Sequence, residues 1–459
     1  MGNMSRSIYK WYEKRFFAIL IVLSALIAGS IFVIYGYQDL KSLTVWSLNL
    51  LDVIYERRPY EYYAYCAENV YNLNHEYMGS GYLALIPWAV WNIPIWILQR
   101  WFGIIAVGHA WTLLYSKMFL VVTESIMLYY SYKITMHITG DRQKSKMAAY
   151  LTFSSPFVLI SIYYTGQSDI VSLCLFVIAV YKLLNKKQRW FLVLAALGIA
   201  AKPYILLAYI AIILVIEKNI WKICAYIFAG GSVALLFNLL YADAPMFRES
   251  MNSGPTGGQL DSFLSVAIDG GIGQKIPLFI VAIVLFYFYL YISRCDQEKD
   301  IRIIYSSAVT FLIYFMLTEP AAYRMIYIVP FIYILFMKKE DCFPLNLLLE
   351  VTGTICAALV FYIRNVNFFS GWYVFQFIRD AVPGGGEAAL SNARNELENM
   401  HLGPYVYIIT AVYCAVLVLI IIINRSDFRF PYKDDFKLGE KTILWIRALI
   451  LVPIVILSL

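Results

Sequence analysis

The sequence predicts an all-α polytopic membrane protein, and three observations predict it. Of 459 residues, 61% are hydrophobic and only 15% charged, with a mean hydropathy of +0.66. That is more apolar sequence than a soluble domain of this size can bury. The apolar residues fall in continuous runs, mostly about 15–22 long, close to what a bilayer core requires. The runs do not alternate polar with apolar, so they read as helices rather than barrel strands. The basic residues, finally, lie mainly in the short connections between runs, as the positive-inside rule expects.

Taken in order, the N-terminus carries Arg6, Lys10, Lys14 and Arg15 ahead of the first run, 16–36. No small-residue cleavage site follows, so this run reads as a retained helix rather than a signal peptide. Further spans are expected at 111–132, 147–163, 169–185, 190–201, 203–217, 222–241, 276–293, 303–318, 325–337, 345–363, 404–424 and 442–458. That gives about 13 transmembrane helices. The short runs flanking 201–203 read equally well as one broken helix.

The stretch 83–99 is long enough to cross but holds Pro87, Trp88, Trp91, Asn92, Pro94 and Trp96. Keeping it outside, as a re-entrant or interfacial helix, puts most of the 37 Lys and Arg on one face. They come from the N-terminus and from connections near 133–146, 182–189, 217–222, 294–302, 338–341 and 425–441. A crossing there would reverse the bias, and interleaved Trp and Pro suit an interfacial position. The basic face is then cytoplasmic. The expected location is a bacterial plasma membrane, although an endoplasmic-reticulum membrane would leave similar signs.

Three outer loops follow, 37–110, 242–275 and 364–403. Gly-rich segments at 254–258, 270–271 and 384–386 suggest that the second and third are mobile. Interfacial helices are expected in the first. With no separate soluble domain and no repeat, the chain divides into a membrane module 1–217 with its long first loop and a second module 218–459. The net charge of +7 reflects the basic connections and is no nucleic-acid signal. Seven scattered cysteines contain no CxxC pair, and Cys66 alone falls in an outer loop, so no structural disulfide is expected. His75, His109, His137 and His401 share no ligand spacing. No Walker loop, Rossmann fingerprint or Ser/His/Asp arrangement has its required context.

Charged residues at membrane-helix ends are costly and therefore functional candidates. Gly166-Gln167-Ser168-Asp169 forms an outer turn after Tyr163-Tyr164, and Ala201-Lys202-Pro203-Tyr204 separates two short apolar runs. The bland reading of the first is helix capping by Ser168 or Asp169. That of the second is a snorkelling lysine. The functional reading makes Lys202 a compact phosphate counter-charge. Arg324, in Thr318-Glu319-Pro320-Ala321-Ala322-Tyr323-Arg324, is a second outer cation that pairs either with the same phosphate or with Glu319. Asp39 lies just past the first helix, at the membrane–water boundary. Asp52, Glu56, Glu61, Glu68 and Glu76 follow it, and read singly these acids solvate a surface loop. Within the spans, Lys117 and Glu124 form a candidate pair across two turns, while Glu350 and Arg447 sit in late spans near the basic face.

These residues resemble the GT-C superfamily of integral-membrane glycosyltransferases, and among them the bacterial polyprenyl-phosphate-mannose-type and related hexosyltransferases. The resemblance covers roughly residues 16–217. It is carried by the long first loop, by "SSPFVLISIYYTGQSD" and "LGIAAKPYILLAY", and by "YMGSGYLALIPWAVW", which is similar to the interfacial helix closing that loop in the superfamily. The resemblance implies that Asp39 is the general base, Asp169 the second-loop acid and Lys202 the carrier-phosphate ligand. Gln167, Tyr164, Tyr204 and Arg324 would complete the substrate site. No Asp-x-Asp or Glu-x-Asp pair stands in the first loop, so a divalent cation (magnesium or manganese) is optional, and Asp52 is the alternative base.

The expected partners are a polyprenyl-phosphate-sugar donor, a glycan or lipid-linked acceptor and membrane lipids. The expected reaction is an inverting sugar transfer at the outer face. Tyr60, Tyr62, Tyr63 and Tyr65 would offer sugar-stacking surfaces or simply interfacial anchors. The rival readings are an O-antigen-type polysaccharide polymerase, which would depend on Arg364, Arg379 and Arg394 instead of Asp39, and a lipid or glycan flippase.

Overall fold

Six helices are long and apolar enough to cross a bilayer among the described residues, or seven if one bent pair counts as a single span. The computed structural model describes residues 2–68, 82–104, 109–244, 247–248, 262–270, 274–293, 298–318, 322–364, 374–375, 405–429 and 440–450. The protein is a multi-pass, almost wholly helical membrane protein. Among the described residues a short ribbon is the exception: β1 (Ala267–Asp269) pairs antiparallel with β2 (Lys275–Pro277), Ile268 opposite Ile276. The Gly-rich stretches 254–258 and 384–386 lie outside the described residues.

The first half comprises α1 (Gly2–Ile34), α2 (Gln38–Tyr55), α3 (Tyr62–Glu68), α4 (Tyr82–Phe102), α5 (Ala110–Thr139) and α6 (Arg142–Phe153). Then come α7 (Pro156–Tyr164), α8 (Asp169–Leu184), α9 (Gln188–Ala201) and α10 (Ile205–Ile216). The second half holds α11 (Ile220–Leu240), α12 (Leu278–Ile292), α13 (Lys299–Leu317), a 3-10 helix Ala322–Ile328 and α14 (Val329–Lys338). It closes with α15 (Phe343–Arg364), α16 (Tyr405–Ile423) and α17 (Glu440–Leu449).

The count of about 13 spans is not reached by length and hydropathy, and the reason is local. Helices α9, α10 and α12 have 14, 12 and 15 residues, roughly 18–23 Å of axis, against a hydrocarbon core of about 30 Å. Breakers end or start them: Lys202 closes α9 in extended conformation and Pro277 precedes α12. Between α6 and α7 the chain bends by 43° at Ser154-Ser155, just before Pro156.

Helix α4, the Trp- and Pro-rich stretch, is not among the six. It lies along α2 and α5 and is fixed there by polar groups. The Trp88 indole donates to Ser116 Oγ at 2.6 Å, and Asn92 donates to Ser47 Oγ at 2.7 Å. The Thr44 hydroxyl stands 2.8 Å from the same Ser116 oxygen. In an apolar surrounding such bonds also fix register.

The connections rich in Lys and Arg meet at one end. His137 contacts Asp300 at 2.8 Å, Lys144 pairs with Glu340, and Lys339 donates to the Phe428 carbonyl at 2.8 Å. Lys218 joins α10 to α12 through the Leu290 carbonyl at 2.7 Å. At the opposite end Tyr241 donates to the Pro59 carbonyl at 3.0 Å, and the Val374 amide to the Ile34 carbonyl at 2.9 Å.

The two sets of charged residues singled out within the spans resolve in different ways. Glu350 and Arg447 do pair, at 2.9 Å, and Arg447 also donates to Tyr333 Oη at 2.7 Å and to the Leu151 carbonyl at 2.7 Å. Thus α17, α15, α14 and the end of α6 are tied at one buried guanidinium. Lys117 and Glu124 do not pair. Lys117 turns toward the end of α1, while Glu124 accepts from Tyr163 Oη at 2.6 Å. Seven residues, roughly 10 Å of helix axis, separate the two Cα atoms, so a direct ion pair would need both side chains to run along the helix surface.

Candidate functional site

The end of α1 leads through Tyr35, Gly36 and Tyr37 into α2, whose first turn holds Asp39. A carboxylate there faces the positive end of the helix dipole. The Asp39 side chain is half-buried and accepts a hydrogen bond from the Gln167 side-chain amide. Burial pushes the Asp39 carboxyl above the ordinary carboxylate value. The Gln167 bond, Lys202 and Arg324 pull it back down, and nearby Asp169 pushes it up. All four groups are therefore electrostatic neighbours of Asp39.

Gln167 reaches Asp39 because of what precedes it. The second part of α7, Leu159–Tyr164, is a π-helix, a wider turn that frequently marks functional sites. Gly166 follows with φ of +68°, in the left-handed region, and a Cβ there would come within 2.9 Å of Leu40 Cβ. Glycine alone lets this turn seat against the first turn of α2. The Tyr164 ring meets Tyr35 at 4.7 Å and closes the other side of the same seam.

Asp169 begins α8. The expected capping by Ser168 does not occur: Ser168 has helical dihedrals and makes no side-chain capping bond. The Asp169 carboxylate is instead fully buried, accepting from Tyr327 Oη at 3.0 Å and facing Lys202 Nζ at 3.7 Å. At 3.7 Å the contact is an ion pair rather than a hydrogen bond. Lys202 does not snorkel. It breaks the chain between α9 and α10, and its side chain, 15% exposed, turns inward to Asp169.

Arg324, on the 3-10 helix, lays its guanidinium over the buried Tyr204 ring at 5.0 Å and over Tyr323 at 5.7 Å. Tyr204 in turn contacts the rings of Tyr314 and Tyr327 at 5.5 and 6.0 Å. Burial holds the Tyr323 phenol up at about 12, so it stays a hydrogen-bond donor at neutral pH. Glu319, the other partner considered for Arg324, lies outside the described residues.

Six residues singled out from sequence thus converge: Asp39, Gln167, Asp169, Lys202, Tyr204 and Arg324. Tyr164 supports the turn from behind. Asp52 is not brought to them. It lies thirteen positions further along α2, roughly 20 Å of axis, and is held by Trp96 Nε1 at 2.8 Å and Tyr65 Oη at 3.3 Å. Its carboxylate fastens α4 and α3 to α2, away from that set. The expected sugar-stacking tyrosines are mostly packing groups too. Tyr62 and Tyr63 are buried, Tyr63 against Tyr241 at 4.9 Å and Phe247 at 5.0 Å, while Tyr60 is exposed. Sequence reasoning missed Tyr327, Tyr314 and Tyr323. Their one available signal was proximity to Arg324, and nothing in the pattern shows that Tyr327 reaches Asp169.

The donor set does not suit a divalent cation. No group of three or more His, Cys, Asp or Glu that could hold a metal ion occurs among the described residues. The two carboxylates present are already compensated, one by a half-buried lysine and a phenol, the other by an amide. Two fixed cations beside a half-buried carboxylate can hold an anion and accept a proton next to it. Of the arginines a polymerase would need, Arg379 and Arg394 lie outside the described residues. Comparison with protein-family models finds no match to this chain, and comparison with curated proteins finds none either.

Proposed function

We propose that this protein is an integral-membrane glycosyltransferase that moves a sugar from a polyprenyl-phosphate carrier to a glycan or lipid-linked acceptor. The observation that carries this reading is the meeting of Asp39, held by Gln167, with the Asp169–Lys202 ion pair and Arg324 at the end of the molecule opposite the basic connections. A carrier phosphate fits Lys202 and Arg324, and its leaving oxygen gains negative charge in the transition state. Cations fixed in a water-poor site stabilise that charge most.

In this mechanism the acceptor hydroxyl gives its proton to Asp39 as its oxygen forms a bond to the anomeric carbon. The bond from that carbon to the phosphate oxygen breaks, and the electron pair leaves with the phosphate. Attack from the side opposite the phosphate inverts the anomeric centre. Raising the Asp39 carboxyl by burial makes it a stronger base than an exposed aspartate, while Gln167 fixes its orientation. Asp169 places Lys202 through their 3.7 Å contact. No step requires a metal ion. The reading also takes the basic end as cytoplasmic, the site as outward-facing in a bacterial plasma membrane, and α8–α10, α12 and α14 as short membrane-embedded helices that bring the span count toward 13.

The test is sugar transfer by the purified protein from a panel of polyprenyl-monophosphate hexoses, with Asp39→Asn and Lys202→Ala alongside. Turnover with one donor, lost in both variants, supports the reading. Folded wild-type protein that turns over no monophosphate donor, with acceptors supplied, refutes it and favours the polymerase.

A further inference from the structure

Lys117 is fully buried in α5, and the mechanism above makes no use of it. Its ammonium points at the end of α1, donating to the carbonyls of Tyr35 at 2.6 Å and Phe32 at 3.1 Å, with Ile31 at 3.5 Å. Helix α1 stops at Ile34, so these carbonyls lie in its last turn and just beyond it, and the Ile31 carbonyl also accepts the Tyr35 amide at 3.1 Å. The neighbouring residue on α5, Ser116, stands 2.8 Å from the Thr44 hydroxyl of α2. Asp39 lies between these two anchors, four residues after Tyr35 and five before Thr44.

Two consecutive residues of one helix therefore hold both flanks of the segment that presents Asp39. The same segment meets the Gln167 turn twice more, through the Tyr35–Tyr164 rings at 4.7 Å and through Leu40 against Gly166. An apolar residue at 117 would fill the space at far lower desolvation cost than a lysine. What only the ammonium supplies is a fixed end point for α1.

We propose that Lys117, with Ser116, is a positioning residue that sets the Asp39 carboxylate against Gln167. The inference rests on reading Asp39 as the base. Its geometric part, however, can be tested without any activity. Asp39→Cys with Gln167→Cys gives a disulfide reporter of the spacing, read as the rate of oxidant-induced cross-linking. Lys144→Cys with Glu340→Cys reports the opposite end in the same way. Lys117→Met is expected to slow the first cross-link and leave the second unchanged. Unchanged rates at both pairs overturn the proposal. Slowing at both pairs alike overturns it too, since it would make Lys117 a general stabilising residue.

In the active protein, Lys117→Met is expected to lower kcat about a hundredfold at unchanged KM for the donor, the scale of a misplacement of about 1 Å. Lys117→Arg should recover part of that loss. A loss confined to KM, or no rescue by arginine, counts against positioning. If wild-type protein transfers no sugar, the functional reading fails, and the cross-linking rates still decide this one.

Discussion

Gln167 donates its side-chain amide to the Asp39 carboxylate across 128 residues of sequence, and this bond joins the turn between α1 and α2 to the turn between α7 and α8. Each partner is held by its own helix end, Asp39 by the first turn of α2 and Gln167 by the left-handed Gly166 that follows α7. The bond therefore fixes an angle between two helix pairs as well as a carboxylate.

In the proposed transfer reaction the pH dependence follows from Asp39. Its carboxyl lies above the ordinary carboxylate value because it is buried, and Gln167 partly offsets this. The working form of a base is deprotonated, so activity is lost as pH falls through that raised value, earlier than an exposed aspartate would allow. Removing the bond with Gln167→Leu takes away a lowering influence, and the acid limb moves to higher pH. A kcat/KM profile from acid to neutral pH checks both; an acid limb that moves down in the variant contradicts the assignment.

Asp39→Asn should reduce transfer by about 10²–10⁴-fold, the usual contribution of a positioned base, with little effect on thermal stability. Asp52→Asn should do the reverse. It keeps activity and costs about 1 kcal/mol through weakened bonds to Trp96 and Tyr65. Parallel turnover and melting measurements separate the two carboxylates, and equal activity losses would restore Asp52 as a candidate.

Gly166→Ala should cost about 1–2 kcal/mol from the left-handed backbone alone. The overlap with Leu40 adds about 1–3 kcal/mol of overpacking. Leu40→Ala in the same chain removes the Cγ and Cδ1 contacts but keeps both the 2.9 Å approach to Cβ and the dihedral strain. The double variant should therefore melt below the Leu40→Ala single variant.

Arg447→Met leaves the Glu350 carboxylate buried without its partner, and the expected loss is about 3–5 kcal/mol. Adding Glu350→Gln neutralises the orphaned charge and should recover a large part. Melting of the detergent-solubilised variants reads this directly. No recovery in the double variant would mean that Arg447 acts through the Leu151 carbonyl of α6 and the Ser154 carbonyl just after it, to which it donates at 2.7 and 3.1 Å, rather than through Glu350.

Much of the site was legible in the sequence, for a physical reason. Membrane helices are so poor in charge that Asp39, Asp169, Lys202 and Arg324 stood out against their surroundings. Lys202 could be placed at a break because Pro203 follows it. What misled was reading charge by sequence distance. Lys117 and Glu124 are seven residues apart on one helix, yet each found its partner on a different segment, at α1 and at Tyr163. Ser168 looked like a cap, but its helical dihedrals exclude the capping geometry.

By itself the sequence determined the class of the protein, its basic and non-basic ends, and the small set of polar residues at the helix ends. Those follow from the cost of placing charge and unpaired backbone in hydrocarbon, which acts on each segment separately. The tertiary structure alone decided that Asp39 and not Asp52 joins that set. It also decided that Asp169 is bound by Tyr327 from 158 residues away, and that Arg447 ties α17 to α6. Those outcomes depend on how helices pack and rotate against one another, and no local pattern of hydrophobicity encodes that.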